Sequence, residues 1–365
     1  MALILTFLGK GGTGRTTVAI AAAKRFASQG KRVLLVGQDS SPAFSLLVGA
    51  TVTCDPIEIG ANLKAVQLES AVLLQRSWQQ VKDLEAEYLR TPFFKEVYGE
   101  ELGVLPGMDS ALALNALREY DASNQYDVIV YDGRGDKDTL RMLGIPEILS
   151  WYIRRFRGVL AESELGKALS PFVQPVTSTV FNSGWSLDNV GGKPAEQATD
   201  LLEKGKQSVG DPNRVIAYLV TTGDRLAVET SRYLWGSAQQ AGLTIGGLIC
   251  NLTPVTDEVV EQFAPLPVTS VPQMEGNDWE PLMDALPDFK KPEGVPQPIE
   301  VDRVNSQVKL FLPGFDKKQV KLTQYGPEVT IEAGDQRRNI SLPPELKGKA
   351  VKGAKFQQQF LVISF

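Results

Sequence analysis

An α/β fold with a mostly parallel sheet, followed by a small all-β module, is predicted by three features of this 365-residue sequence. Short apolar strands alternate with helical segments from Met1 to about Leu286. A glycine-rich loop stands between the first strand and the first helix. Beyond Pro298 the pattern changes to short β-rich runs separated by turn residues. Length agrees, because ~150 residues per domain gives two or three domains. The expected boundaries are 1–286 for the α/β domain, 287–298 for a linker and 299–365 for the β-module.

The candidate strands are Leu3–Leu8, Val33–Gly37, Val128–Tyr131, Val215–Thr221 and Ile245–Asn251. Val, Ile and Leu fill both faces of each, as parallel strands covered by helices on two sides require. Two stretches interrupt the alternation, at about 45–105 and 141–208. Leu74, Trp78, Val81, Leu84 and Tyr88 recur at helical spacing in the first. In the second, Ile145, Ile148, Leu149, Tyr152, Ile153, Phe156, Val159 and Leu160 form an amphipathic period. Pro287, Pro292, Pro296 and Pro298, with charges between them, read as an extended linker. Five runs then follow: Val308–Leu312, Val320–Leu322, Val329–Ile331, Ile340–Leu342 and Phe360–Phe365.

Composition removes several classes of function. Histidine is absent, which excludes His-based nucleophile activation, a His general base and His metal ligands. Two cysteines, Cys54 and Cys250, are too few for a zinc framework or a disulfide scaffold, so no zinc is expected. A net charge of -5 argues against a nucleic-acid binder. Neither a signal peptide nor an apolar run of ~18 residues is visible, so the chain reads as soluble and cytoplasmic.

The loop Gly9-Lys10-Gly11-Gly12-Thr13-Gly14-Arg15-Thr16-Thr17 precedes the Ala-rich stretch Val18–Ala27. Glycines let successive backbone N–H groups turn inward around a phosphate, and the following helix points its positive end there. Thr16 stands where a hydroxyl coordinates Mg²⁺. The fold class is therefore that of a phosphate-loop NTPase, holding a nucleotide with Mg²⁺; the adenine nucleotide, ATP or ADP, is what the family resemblance below implies. Asp127-Val128-Ile129-Val130-Tyr131-Asp132 is a buried strand ending in a carboxylate, and Asp132 is placed to hold the Mg²⁺ shell through water.

Lys10, early in the loop, resembles the signature lysine of the deviant phosphate-loop ATPases, which in those families reaches the nucleotide of the opposite subunit. The stretch from Asp132 through Thr139, Leu140, Arg141 and Leu143 to Pro146 resembles the second switch of the arsenite-pump and guided-entry, tail-anchored-protein-targeting ATPases. Pro106-Gly107-Met108-Asp109 and Glu229-Thr230-Ser231-Arg232 are similar to two further family motifs. Asn251 matches the family asparagine that reads the adenine. Together these cover about 1–286.

Two charged positions of the family pattern have changed, and Phe44 stands where the family has a histidine. Arg15 replaces the usual loop lysine, and a planar fork does not substitute for a compact point charge. At the first switch, Asp39-Ser40-Ser41-Pro42-Ala43-Phe44-Ser45 puts Ser41 where the family aspartate positions the attacking water. Asp39 either takes over that role, making it catalytic with Lys10 and Asp132, or caps a turn. Both departures imply slow hydrolysis. The Cys-x-x-Cys zinc clasp of the eukaryotic targeting ATPases is missing too, as is any cysteine trio for arsenite.

The C-terminal module resembles the α-crystallin domain of small heat-shock proteins. Leu312-Pro313-Gly314-Phe315, Ile331-x-Ala333-Gly334, Arg338-x-Ile340-x-Leu342-Pro343 and Ala354-Lys355-Phe356 carry that likeness. The resemblances imply a homodimeric, nucleotide-gated targeting factor or chaperone for hydrophobic membrane-protein segments. Such a factor meets membranes only through client delivery and binds no nucleic acid. Helical inserts would build the client groove, with Tyr152 and Phe156 its candidate lining and Trp78, Trp151 and Phe172 alongside; for any one of them, core of the insert is the better reading. The alternatives are the ATPase of an arsenite or anion exporter, and a partition-type positioning ATPase.

Overall fold

The computed structural model describes residues 1–88, 97–162, 193–274, 276, 278–290, 293–326 and 328–365. In chain order the elements begin with β1 (Leu3–Leu8), α1 (Arg15–Ser28), β2 (Val33–Gly37) and α2 (Pro42–Val48). Next come β3 (Ile57–Gly60), β4 (Leu63–Gln67), α3 (Ser70–Tyr88), a 3-10 turn at Gly99–Glu101 and α4 (Met108–Ala122). They continue with β5 (Val128–Asp132), α5 (Lys137–Glu162), α6 (Lys193–Gly210), β6 (Val215–Thr221) and α7 (Arg225–Gln240). Then follow β7 (Thr244–Asn251), α8 (Asp257–Phe263), β8 (Val268–Val271) and α9 (Glu280–Ala285).

The strands β1–β8 form one sheet in the order β3-β4-β2-β5-β1-β6-β7-β8. It is mostly parallel, and β3 at one edge pairs antiparallel with β4. All residues of β2, β5, β6 and β7 are buried, which is why these strands are apolar on both faces.

The last seven strands are β9 (Ile299–Asp302), β10 (Gln307–Phe311), β11 (Val320–Tyr325), β12 (Glu328–Ala333), β13 (Gln336–Ser341), β14 (Gly353–Gln357) and β15 (Phe360–Ser364). They build two antiparallel sheets, β14-β15-β10-β9 and β11-β12-β13. Alternate residues of β10, β12 and β15 point into one core that includes Val308, Leu310, Val329, Ile331, Leu361 and Ile363. That alternation between core and solvent is the β-sandwich pattern.

Contacts divide the chain into two compact units, one of residues 1–2, 26–129 and 142–208, the other of 3–25, 130–141 and 209–365. In the first, β3 and β4 lie inside the stretch 45–105 that helical periodicity dominates. Leu74 and Val81 of α3 are buried, and Trp78 Nε1 donates to the Val97 carbonyl at 3.0 Å. Leu149 and Ile153 of α5 pack on Ala111 of α4 and Leu202 of α6. The side chains of Leu84, Tyr88, Phe156, Val159 and Leu160, and the whole of Phe172, lie outside the described residues.

In the second unit the β-sandwich is seated on α7. Trp235 is fully buried and meets the Phe311 ring edge-on at 5.5 Å. A Cβ at Gly236 would strike the Pro313 carbonyl, so a glycine in mid-helix admits the Leu312-Pro313-Gly314-Phe315 turn. Arg338 Nη1 donates to the Gln239 carbonyl at 2.8 Å, bringing a cation to the last turn of α7. The proline-rich segment before the sandwich is tied down as well. Phe289 is buried, with its ring edge-on to Phe7 and Tyr218, and the Tyr218 hydroxyl donates to the carbonyls of Asp288 and Lys290.

Candidate functional site

The glycine loop joins the buried end of β1 to the first turn of α1. Gly12 and Gly14 have φ of 84° and 86°, in the left-handed region where side chains are strained. A Cβ at Gly9 would collide with the Val220 carbonyl of β6. One at Gly14 would collide with the side-chain amide of Asn251. Every one of these close approaches is paid for by a missing side chain, so the loop is a backbone-lined cradle. Thr13 is buried and donates its hydroxyl to the Lys10 carbonyl at 2.9 Å. Asn251, at the end of β7, donates Nδ2 to the Thr13 carbonyl at 2.9 Å and so braces the loop from behind.

Gly11 and Gly12 are exposed at the rim, and Thr16 and Thr17 are half-buried in the first turn of α1. The N–H groups of that turn have no acceptor within the helix, and the helix dipole adds positive charge there. A cradle of this kind, with Thr16 and Asp132 as oxygen donors, fits a nucleotide phosphate with Mg²⁺. Asp132 is buried at the end of β5.

Arg15 does not point into the cradle. Its Nη1 donates to the carbonyl of Arg134, and the guanidinium occupies the space where Gly135 would carry a Cβ. Gly135 has φ of 65° and donates its N–H to Thr139 Oγ1 at 2.9 Å, while its carbonyl accepts from the Gly9 N–H at 2.8 Å. Burial pulls the Arg15 pKa down, and the neighbouring carboxylates of Asp132 and Asp136 oppose that shift. An arginine there thus ties the loop to the segment after β5.

That segment, 133–141, opens α5. Asp136 Oδ1 accepts from the Asp138 N–H at 2.9 Å and caps the helix. Lys10 lies within electrostatic reach of Asp224, whose carboxyl is held below its ordinary range, chiefly by the Thr222 hydroxyl. Asp224 also caps α7 by accepting from the Ala227 N–H at 3.0 Å. Sequence reasoning missed Asp224, although an Asp between strand β6 and helix α7 is a readable N-cap signal.

The first switch belongs to the other unit. Asp39 is exposed, and both its oxygens are engaged by Ser41: Oδ1 by the backbone N–H and Oδ2 by the hydroxyl, each at 2.9 Å. Gln67 Nε2 donates to the carbonyls of Asp39 and Ser41, at 2.6 and 2.9 Å. Phe44 is buried against Gly37. Gln67 carried no signal in the sequence, because its partners lie more than twenty residues away.

Along the insert helix, Leu149 and Ile153 face the core, whereas Ile148 is 42% and Tyr152 50% exposed. The Tyr152 ring stands edge-on to Trp151 at 5.1 Å. Both cysteines are buried, and burial pushes the Cys54 and Cys250 thiols up, the latter to about 11. Among the described residues, no helix is long and apolar enough to cross a membrane.

The family model for anion-transporting ATPases matches residues 2–276, and that for an HSP20-like domain found in ArsA matches residues 305–365. A putative arsenical pump-driving ATPase of Chlorobaculum tepidum is 25% identical over 399 residues, covering 99% of this chain and 95% of that protein. Another, of Aquifex aeolicus, is 21% identical and covers 99% of each chain. An ATPase GET3 of Malassezia globosa is 22% identical over 67% of this chain and 70% of its own length.

Proposed function

The chain belongs to the ArsA family of anion-transporting ATPases, and on that premise we propose that it is a nucleotide-gated homodimer that captures hydrophobic membrane-protein segments. The observation that carries this reading is the build of α5. The segment after Asp132 opens that helix beside the phosphate cradle, and farther along the same helix Ile148 and Tyr152 expose apolar side chains one turn apart.

ATP and Mg²⁺ are the proposed ligands, and hydrolysis is slow. The cradle backbone holds the phosphates, Thr16 supplies a hydroxyl to the metal, and Asp132 orders its water shell. Lys10 serves the nucleotide of a second copy, which makes the dimer depend on nucleotide. A closed dimer brings two insert faces together into one groove. The protein works in the cytoplasm and meets the membrane through its client.

Arsenite export is the weaker reading. A soft metalloid wants several thiolates, and this chain has two cysteines, both buried with raised thiol pKa values.

The test is capture of a single-span apolar helix by the full chain, with and without magnesium adenylyl imidodiphosphate. Ile148→Asp with Tyr152→Asp is expected to weaken capture by ~10-fold or more, since two apolar contacts are removed. The melting temperature should stay close to that of the parent. Capture unchanged in that variant, or independent of nucleotide, overturns the proposal. Leu149→Asp, in the packed face, is expected to unfold the insert instead.

A further inference from the structure

The tip of the β12–β13 hairpin reaches α5. Ala333 ends β12 and Gln336 begins β13, so Gly334 and Asp335 form a two-residue loop. Gly334 has φ of 60°, as the first position of a tight hairpin loop demands. A Cβ there would lie only 3.0 Å from the Tyr233 ring and 3.1 Å from that of Phe315. The Asp335 N–H donates to the Tyr233 hydroxyl at 3.4 Å. Helix α7 therefore seats the loop and leaves the Asp335 carboxylate facing the first turns of α5.

Two cations of α5, four residues apart and so on one face, converge on a single oxygen of that carboxylate. Lys137 Nζ lies 3.0 Å and Arg141 Nη2 2.7 Å from Asp335 Oδ2. Arg141 also pairs with Asp138 at 3.5 Å, and Asp138 with Arg134 at 3.6 Å. The Arg134 carbonyl is the acceptor for Arg15. A continuous set of polar contacts thus joins the phosphate loop to the hairpin of the β-sandwich.

We infer that Asp335 is a positioning residue through which the C-terminal β-sandwich senses the nucleotide state of the segment 133–141. These half-exposed pairs add little to stability, and what they supply is a meeting point, two cations of α5 on one oxygen of the hairpin. Filling of the cradle acts on Arg15 and the backbone at Arg134. A shift there moves Lys137 and Arg141 against the carboxylate of a loop whose backbone rests on Tyr233 of α7. This inference rests on the nucleotide reading above, and it gives the sandwich a task within its own chain.

Hydrogen exchange on the full chain, with binding of magnesium adenylyl imidodiphosphate followed by calorimetry, tests it. Nucleotide is expected to slow exchange several-fold in both 133–141 and 333–337. Asp335→Asn should bind nucleotide within ~5-fold of the parent and keep the response at 133–141, yet lose it at 333–337. Asp335→Glu should restore it. Glu332→Gln removes a carboxylate of the same hairpin that pairs with Lys321 and Arg337, and it should behave as the parent. If Asp335→Asn folds poorly, Lys137→Gln with Arg141→Gln breaks the same contacts from α5 and should give the same loss. Nucleotide that binds while 333–337 responds equally in parent and variants, or not at all, overturns the inference alone. Absence of calorimetric binding to the parent overturns the nucleotide reading and the inference with it.

Discussion

The phosphate loop and the first switch each have one charged position changed from the family pattern, and the fold treats the two regions differently. Arg15 reaches out of its own loop, to the Arg134 carbonyl and the space beside Gly135. Asp39 folds back on its own turn, with both oxygens taken by Ser41. A changed residue that ties two segments together alters how they move, whereas one that closes on its neighbour alters a single turn. On the proposed nucleotide reading, the loop departure therefore bears on affinity and on coupling, and the first-switch departure on the chemical step.

The largest expected effect comes from filling the cradle. Gly9→Ala puts a methyl group on the Val220 carbonyl, with strand on both sides and no flexible side chain to yield. Nucleotide binding should vanish in calorimetry, with about 2–3 kcal/mol lost from unfolding free energy in urea. Ser41→Ala, the counterpart in the first switch, removes one exposed hydroxyl bond and should cost under ~1 kcal/mol. Equal losses would break the comparison.

Next in size is the chemical step. In Asp39→Asn/Ser41→Asp a carboxylate returns to the position that resemblance assigns to water activation, without a like charge beside it. Single-turnover hydrolysis should quicken ~30-fold, since correct placement of such a group is worth that order in phosphoryl transfer. Affinity should stay within a few-fold. A rate equal to that of the parent would show that the first switch does not limit hydrolysis.

A smaller change is expected at the loop. Arg15→Lys loses the fork that binds the Arg134 carbonyl and frees a compact charge for the phosphates. Nucleotide should bind a few-fold tighter by calorimetry, and exchange at 133–141 should rise in the absence of nucleotide. Weaker binding would mean that Arg15 itself holds the phosphate.

The sequence made these two regions unequally legible. Backbone demands leave a residue type behind: Gly12 and Gly14 adopt a left-handed φ, and Gly9 admits a carbonyl, so the cradle was visible as glycines. Arg15's acceptor is a main-chain carbonyl at Arg134, which any residue type supplies, and no pattern announces it. Asp39 was ambiguous because Asp two residues before Ser is at once a turn anchor and a displaced carboxylate. Strand legibility follows the same logic. β2, β5, β6 and β7 are buried on both faces and read as apolar runs. The edge strand β3 has Glu58 exposed between Ile57 and Ile59 and leaves no apolar run, and β14 (Gly-Ala-Lys-Phe-Gln) offers so little apolar surface that only the likeness to the α-crystallin pattern marks it. The proline-rich segment read as a spacer, because nothing in its composition reveals that Phe289 is buried between Phe7 and Tyr218.

The smallest effect serves as a control on charge alone. Arg32 holds Asp127 through its guanidinium and backbone N–H, which brings that carboxyl down to about 2. A depressed pKa stabilises the fold above the ordinary carboxylate value and loses that contribution as pH falls through the folded one. The difference in unfolding free energy between parent and Asp127→Asn should therefore shrink from pH 4 towards pH 2. Turnover and nucleotide affinity should not change. Altered affinity would show that surface charge, without contact to the cradle, tunes the site.

The most direct test of the central claim follows one sample of the unmodified chain by two readings. Calorimetry with Mg-ATP reports whether the cradle fills, and quenched single-turnover assays report how long the bound ATP survives. Saturable binding of one nucleotide per chain is expected, with the bound ATP persisting at least ~10²-fold longer than in a site with every charged group in place. No binding, or binding followed by fast hydrolysis, would contradict it.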